Sequence, residues 1–419
     1  MNIALISEHA SPLAVQGGTD SGGQNVYVAY VARELGRAGH TVDVFTRRDD
    51  PALPAVIDFA PNVRVMPVPA GPPHFVPKEQ LLPYMSAFGD GIAARCLAPG
   101  RPYDIVHANF FMSGLVGMRL REDFGLPLVV TFHALGKVRR RHQGSADGFP
   151  EERLQIEEAL VASADRIIAE CPQDRDDLIR LYGAERERID IVPCGVDTAE
   201  LGPSEGARAR LGLAEDEFVV LQLGRMVPRK GIDNVIRAVG ELRRRHGVAA
   251  RLLVVGGETA EPDPLRTPEI GRLQQIAEDE GVSAQVVFTG RRERHCLRDY
   301  YCAADVFVTT PWYEPFGITP LEAMACGCPV IGAAVGGIRH TVVNGTTGFL
   351  VPPHDPVQLA DRLARLQADP ERARTFGRAG IRRVRSKFTW QRVAASLASV
   401  YGALHQPRAV QLTERMMGL

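Results

Sequence analysis

The stretch Glu314-Pro315-Phe316-Gly317-Ile318-Thr319-Pro320-Leu321-Glu322 decides the reading of this chain. The apolar run Asp305–Pro311 precedes it and Ala323–Cys326 follows, so the segment reads as strand, tight turn and the first turns of a helix. Pro311 and Pro315 keep the approach extended, because proline fixes φ and turns its predecessor away from helix. Gly317 lets backbone come close to a ligand, and Thr319 followed by Pro320 suits an N-cap and a first helical residue. A helix start presents unpaired N–H groups and the positive end of the dipole, which together attract an anion. Glu314 lies just before that start and Glu322 about one turn inside it. Carboxylates there repel phosphate but accept hydrogen bonds from hydroxyls. A nucleotide sugar offers ribose hydroxyls, a diphosphate and sugar hydroxyls in that order.

In the setting E-P-F-G-I-T-P-L-E-A-M-A-C-G-C-P-V-I, two glutamates separated by seven residues resemble the signature of retaining GT-B glycosyltransferases of family 4, in the sucrose-synthase and sucrose-phosphate-synthase branch. Inositol-phosphate glycosyltransferases are similar. The resemblance implies that Glu314 contacts the transferred sugar and Glu322 the ribose, with Phe316, Gly317 and Ile318 against the donor. A plain strand-to-helix junction with surface glutamates is the simpler alternative for the segment taken alone.

Outward from this segment, 419 residues exceed what one core usually serves, so two domains are expected. Hydrophobic residues at 45%, charged residues at 24% and a net charge of −1 describe an ordinary globular protein and argue against a nucleic-acid binder. Arg139–Arg141 and Arg243–Arg245 read as solvated helix faces. The seven cysteines show no zinc or disulfide spacing, and Cys326 and Cys328 read as packing residues. No signal peptide or membrane span is legible, so the expectation is cytoplasmic, with peripheral membrane association and oligomeric state left open.

From the N-terminus, a strand at residues 2–7 leads into the glycine-rich loop Gly17-Gly18-Thr19-Asp20-Ser21-Gly22-Gly23-Gln24, then a helix from about Asn25 to Ala38 and a strand Thr41–Arg47. The glycines do not follow the G-x-G-x-x-G spacing and no acidic residue closes the second strand, so a dinucleotide site is disfavoured. S-G-G-Q-N-V-Y-V resembles the family loop over donor and acceptor, which implies Gly22 and Gly23 at the donor and Gln24 at acceptor hydroxyls. Strands and helices then alternate, with strands at Val63–Val68, Asp104–Asn109, Leu128–His133, Arg166–Ala169 and Ile189–Val192. A second series runs from Phe218–Gly224 through Leu252–Gly256, Val286–Thr289, Asp305–Thr309 and Val330–Gly332. Such alternation predicts doubly wound parallel sheets with ligands at the strands' carboxyl ends. The expected architecture is α/β: two Rossmann-like domains facing across a cleft, as in GT-B. Residues 1–195 with the returning helix 390–419 form the acceptor-binding domain, 207–389 the nucleotide-sugar domain, and 196–206 a turn-rich hinge.

His133, in T-F-H-A-L-G-K, resembles the family histidine lying against the transferred sugar, although a histidine at a strand end is commonly a satisfied polar cap. Gly224-Arg225-Met226-Val227-Pro228-Arg229-Lys230-Gly231 places Arg225 and Lys230 at a strand's carboxyl end, where a diphosphate needs neutralising. Lys78, Lys137, Lys230 and Lys387 are the only lysines among 49 basic residues, which marks places suited to a compact ammonium. Arg225 and Lys230 are expected to stabilise charge on the departing diphosphate. No Walker A motif is present, Asp174-Arg175-Asp176 reads as helix capping, and no metal or other cofactor is expected. The resemblance implies front-face displacement, the departing phosphate oxygen helping to remove the acceptor proton.

For the acceptor, similar enzymes grip a sugar or inositol phosphate with basic residues that match Lys78, Lys137 and Arg153 here. Two positions depart from that pattern, Ala134 for Ser or Thr and Phe110 for the inositol branch's Tyr, which favours fructose 6-phosphate. The expected activity is transfer of a hexosyl group, glucosyl first, from a nucleoside-diphosphate sugar to a sugar phosphate or other polyol. A neutral sugar, glycan or lipid-linked acceptor, a non-catalytic nucleotide-sugar sensor and a same-fold epimerase are the rivals.

Overall fold

The computed structural model describes residues 1–14, 22–97 and 103–405 of the chain. Gly17–Ser21 of the glycine-rich loop lies outside the described residues. Contacts divide the chain into two units, one holding Met1–Ala14 and Gln24–Pro193 and taking up the chain again from Gln391, the other holding Cys194–Trp390.

The first unit is built on an eight-stranded sheet. Its strands are β1 (Asn2–Ile6), β2 (Thr41–Arg47), β3 (Ile57–Ala60), β4 (Val63–Val68), β5 (Ile105–Asn109), β6 (Leu128–Thr131), β7 (Arg166–Ala169) and β8 (Ile189–Ile191), in the order β3-β4-β2-β1-β5-β6-β7-β8. All neighbours run parallel except β3, which pairs antiparallel with β4. The apolar strands carry little alternation because helices cover both faces. The helix Trp390–Leu404 belongs here too: Tyr401 Oη lies 2.6 Å from His107 Nδ1 in the middle of β5, and Thr131 Oγ1 lies 2.8 Å from Nε2. Burial, with the nearby His133, pushes the His107 imidazole down to about 3, so it stays neutral.

The second unit holds six strands, β9 (Val219–Leu223), β10 (Arg251–Val255), β11 (Val286–Gly290), β12 (Val306–Thr309), β13 (Val330–Ala333) and β14 (Gly348–Val351), in the order β11-β10-β9-β12-β13-β14. Every pair is parallel. Val220, Leu252, Val254 and Val306 are fully buried against Val235, Ile236 and Val239 of the helix Ile232–His246. Both units are doubly wound Rossmann-like sheets.

Several elements differ from the sequence reading. β6 ends at Thr131, two residues before His133, which takes a positive φ of 57° in the loop beyond. A helix, Gly136–Gln143, occupies the K-V-R-R-R-H-Q segment. β3 and β14 were not legible, being short and, for β3, half-exposed. Residues 196–206, the turn-rich segment expected to join the domains, make contacts with the second unit: Arg294 pairs with Glu200 at 2.9 Å, and Arg298 donates to the carbonyls of Gly202 and Pro203. Thr319 is not the N-cap of its helix. Ile318 takes that place in helical geometry, and Thr319 and Pro320 are the first helical residues.

Candidate active site

Strand order reverses once in each sheet, at β1/β5 in the first unit and at β9/β12 in the second. At such a point the connections leave to opposite sides, and their splayed loops open a crevice at the carboxyl ends of the strands. Gln24, His133 and Arg153 stand against Asn109 and Phe110 at the first of these places, and Lys230 meets Glu314 at the second.

In the second unit β9 runs into Gly224-Arg225 and a short 3-10 turn, Pro228–Lys230. Gly231 closes that turn with φ +65°, and a Cβ there would come within 2.0 Å of the Thr310 carbonyl oxygen, so only glycine lets the turn sit against the end of β12. The Trp312 amide donates to the Arg229 carbonyl at 3.0 Å, joining the two loops. Lys230 Nζ consequently meets Glu314 Oε2 in a direct ion pair. Arg229 donates to the Tyr313 carbonyl at 3.0 Å and stands 3.5 Å from the same carboxylate oxygen. Burial works to raise the Glu314 pKa, but the charges of Lys230, Arg229 and Arg225 overcome it and hold the carboxyl at about 2. Burial lowers the Lys230 ammonium to about 8, with Arg229 and Arg225 adding to the effect and Glu314 opposing it. Two cations thus contact one carboxylate and a third acts on it through its charge, a positive setting that suits a diphosphate.

Phe316 is buried, Gly317 has φ +86°, and the turn is braced by Gly336 and Gly337 beyond β13. A Cβ on Gly336 would lie 1.8 Å from the Glu314 carbonyl oxygen, and one on Gly337 would lie 2.4 Å from the Phe316 Cα. Glu322 is enclosed: Arg294 Nη1 donates to Oε1 and Tyr301 Oη to Oε2, each at 2.8 Å. Arg294 and Tyr301, two turns apart on the helix Arg294–Ala303, share a face. Burial and Glu322 push the Tyr301 phenol well up, so it remains a donor. Each Glu322 oxygen keeps accepting capacity for a hydroxyl.

In the first unit His133 Nδ1 lies 2.9 Å from Glu170 Oε1, and Nε2 lies 3.0 Å from Asn109 Oδ1. Phe110 has φ +84°, which is costly for a bulky residue and costs least where the surroundings fix it. Gln24 Nε2 reaches the Asn109 carbonyl at 3.3 Å and Ser7 Oγ at 3.4 Å. Gly22 and Gly23 stand at the start of the helix Gly23–Arg37. Arg153 is almost wholly buried; its guanidinium lies 4.5–5.0 Å from the ring centres of Phe149, Phe110 and Phe111. Its Nε pairs with Glu157 at 2.8 Å, Nη2 donates to the Ala134 carbonyl, and Nη1 has no partner. Lys137 is engaged as well, its ammonium 2.7 Å from the Leu181 carbonyl and 2.6 Å from Glu158, over the Tyr182 ring. Lys78 starts a short 3-10 turn, 3.9 Å from Glu79. The three basic residues expected to act together are thus each held by an acidic neighbour.

Asp174 folds back to accept the Glu170 amide at 3.0 Å, a capping role, while Cys171 is the N-cap of the helix Pro172–Tyr182. Among the described residues no group of three or more His, Cys, Asp or Glu is arranged to hold a metal ion, and no helix is long and apolar enough to cross a membrane. Sequence reasoning missed Arg229, Gly336, Gly337, Arg294, Tyr301, Asn109 and Glu170. A usable signal existed for Glu170, an acid ending the apolar strand Arg166-Ile167-Ile168-Ala169, and for the paired glycines after β13.

Comparison with known proteins agrees with this geometry. The family model of group 1 glycosyl transferases matches residues 204–383, and that of glycosyltransferase family 4 matches residues 21–200. A D-inositol 3-phosphate glycosyltransferase from Xylanimonas cellulosilytica is 37% identical over 95% of this chain and 96% of its own. A protein of the same description from Catenulispora acidiphila is 41% identical over 95% of both chains. Sucrose-phosphate synthase from Thermosynechococcus elongatus has a similar structure, with a TM-score of 0.88 at 37% identity, covering 96% of this chain and 99% of its own.

Proposed function

This chain belongs to glycosyltransferase family 4, whose members are retaining GT-B enzymes, and on that premise we propose that it moves a hexosyl group from a nucleoside-diphosphate sugar to a phosphorylated sugar or polyol. The cluster of Arg225, Arg229 and Lys230 around Glu314 at the β9/β12 switch point carries the proposal. As the bond between the anomeric carbon and the β-phosphate oxygen breaks, negative charge grows on the diphosphate. Cations already fixed in place stabilise that charge without reorganising. Glu314 then accepts hydrogen bonds from the transferred sugar while Lys230 turns to phosphate, and Glu322, held by Arg294 and Tyr301, accepts from ribose. The acceptor oxygen attacks on the face from which the diphosphate leaves, and its proton passes to the departing oxygen. These residues supply the charge stabilisation without a metal ion.

The acceptor's phosphate is supported by Arg153, whose buried guanidinium keeps Nη1 for a ligand, and by Lys78. Fructose 6-phosphate and an inositol phosphate are the acceptors to compare, since similar proteins are named D-inositol 3-phosphate glycosyltransferase and sucrose-phosphate synthase. The test is transfer from UDP-, ADP- and GDP-glucose to each phosphate and to its dephosphorylated form, in wild type and Lys78→Ala. Phosphorylated acceptors should be preferred at least tenfold, and Lys78→Ala should remove most of that preference. Better transfer to the neutral sugar, with no effect of Lys78→Ala, overturns the acceptor assignment.

A further inference from the structure

Cys302 lies in the last turn of the helix Arg294–Ala303, and Cys326 is the C-cap of the helix Thr319–Ala325. Cys302 Sγ lies 3.4 Å from the Gly202 carbonyl and 4.0 Å from the Cys326 carbonyl, and the two thiols are in hydrogen-bonding contact with each other. Cys302 is half-buried and open to a small solute, whereas Cys326 is buried. The same two segments hold Glu322. Tyr301, the residue before Cys302, donates to Glu322 Oε2 at 2.8 Å, and the Cys326 amide donates to the Glu322 carbonyl at 3.2 Å. The surroundings favour ionisation of Cys302. The Cys326 thiol donates to it and so lowers its pKa; burial and Asp299 oppose this, while the Ser204 amide and the charge of Arg298 assist. Cys326 is pushed up by the same hydrogen bond and by burial, so it stays a thiol. The thiolate is the nucleophile in thiol chemistry, and a thiolate poised beside a second thiol is the arrangement of a redox-active pair. A third cysteine, Cys328, is buried with its Sγ 3.7 Å from the Ala304 carbonyl.

We propose that Cys302 and Cys326 are a site of reversible oxidation, a thiol pair that a hydroperoxide closes to a disulfide, and that the closure weakens the hold on Glu322. The Cys302 thiolate sulfur attacks one oxygen of hydrogen peroxide and the O–O bond breaks. Cys302 becomes a sulfenic acid, and the departing hydroxide takes up the proton that Cys302 gave to solvent. The Cys326 sulfur then attacks the Cys302 sulfur; the S–O bond breaks, and the hydroxyl leaves as water with the Cys326 proton. Two thiols lose two electrons in all, and the peroxide is reduced to two waters. A disulfide sets its sulfurs about 2 Å apart, nearer than a hydrogen-bonding contact, so the bond draws the end of one helix toward the end of the other. Tyr301 and Glu322 sit on those two ends and are displaced from each other. The effect on a ligand rests on Glu322 accepting from ribose, as proposed above; formation of the bond does not.

Glu322 lies between the two cysteines in sequence, so cleavage after it puts Cys302 and Cys326 on separate peptides. The reduced full-length protein is treated with hydrogen peroxide, alkylated, digested with a glutamate-specific protease and mapped by mass spectrometry. Wild type and Cys328→Ser should give one cross-linked pair that dithiothreitol separates. Cys302→Ser, Cys326→Ser and Cys326→Ala should give none. In parallel, the dissociation constants of UDP, ADP and GDP are measured by titration before oxidation, after it and after dithiothreitol. The constant of the nucleotide that binds best should rise about fivefold on oxidation, the scale of a weakened hydrogen bond, and return on reduction. Peroxide should leave it unchanged in Cys302→Ser. Free thiols after peroxide, oxidation that stops at Cys302 without a cross-link, or a cross-link that persists in both Cys326 variants overturns the thiol pair. A cross-link with unchanged nucleotide affinity overturns the effect on Glu322. If the reduced protein binds none of the three nucleotides, the donor reading itself fails, while the peptide map still decides the bond.

Discussion

The two switch points occupy equivalent places in two similar sheets, yet they handle charge in opposite ways. At β9/β12 Lys230 and Arg229 both meet the Glu314 carboxylate, and the charge of Arg225 acts on it as well. At β1/β5 the buried guanidinium of Arg153 is matched by Glu157, the Lys137 ammonium by Glu158, and the rim is a web of neutral and paired groups: Gln24, Asn109, His133 with Glu170, His9 with Glu8. The fold supplies a crevice in both cases. The side chains decide how charge is distributed along it.

The comparison breaks most visibly at Arg153. Arg153→Met leaves Glu157 buried without its partner and should cost about 3–5 kcal/mol, read as loss of stability in urea. Adding Glu157→Gln should recover much of it. A loss under about 1 kcal/mol from the single change would mean that the pair is not structural, and the contrast between the units would collapse.

Next in size is Lys230→Ala, which removes a fixed donor where charge develops and should lower kcat by about two to three orders of magnitude, with folding intact. Wild-type turnover in this variant would put the diphosphate somewhere else.

The smallest effect is in pH. Lys230, held down to about 8 chiefly by burial, is an ammonium below that pH and neutral above it. kcat/KM for the donor, which reports the free enzyme, should therefore fall up to about tenfold per unit as pH rises beyond about 8. Lys230→Arg should remove that descending limb, since a guanidinium does not deprotonate in this range. A limb unchanged in Lys230→Arg assigns the titration to another group.

Much of the candidate site in the second unit was legible because its parts lie close in sequence. Glu314 and Glu322 flank one turn, and Arg225 and Lys230 flank another, so local spacing and punctuation were enough to find both. Arg229 sat inside the quoted segment but was passed over, because nothing local shows that Lys230 and Arg229 both turn toward Glu314. Gly336 and Gly337 were missed for a related reason: their need for no side chain arises from backbone that returns to the Glu314–Phe316 turn from the far end of β13. The candidate site in the first unit was less legible. Arg153, Lys137 and Lys78 were recognised as basic, but their acidic neighbours Glu157, Glu158 and Glu79 were not singled out. Pairing over one helical turn, as between Arg153 and Glu157, is a weak sequence signal among so many charges, and Glu158 lies 21 residues from Lys137.

The sequence by itself determined the alternation of apolar strands and amphipathic helices, and with it the two doubly wound units. Strand and helix periods are set by local backbone geometry and the need to bury one face. It also marked the turns at Gly224–Gly231 and Glu314–Glu322, since a glycine or proline at a strand-to-helix turn acts through its own φ and ψ. Only the tertiary structure decided which charges are spent and which remain. That depends on partners distant along the chain: Glu314 on Lys230, Glu322 on Arg294 and Tyr301, Glu8 on Ser113 and His107 on Tyr401. Burial sets the strength of each such interaction, and burial is a property of the assembled sheet rather than of any segment.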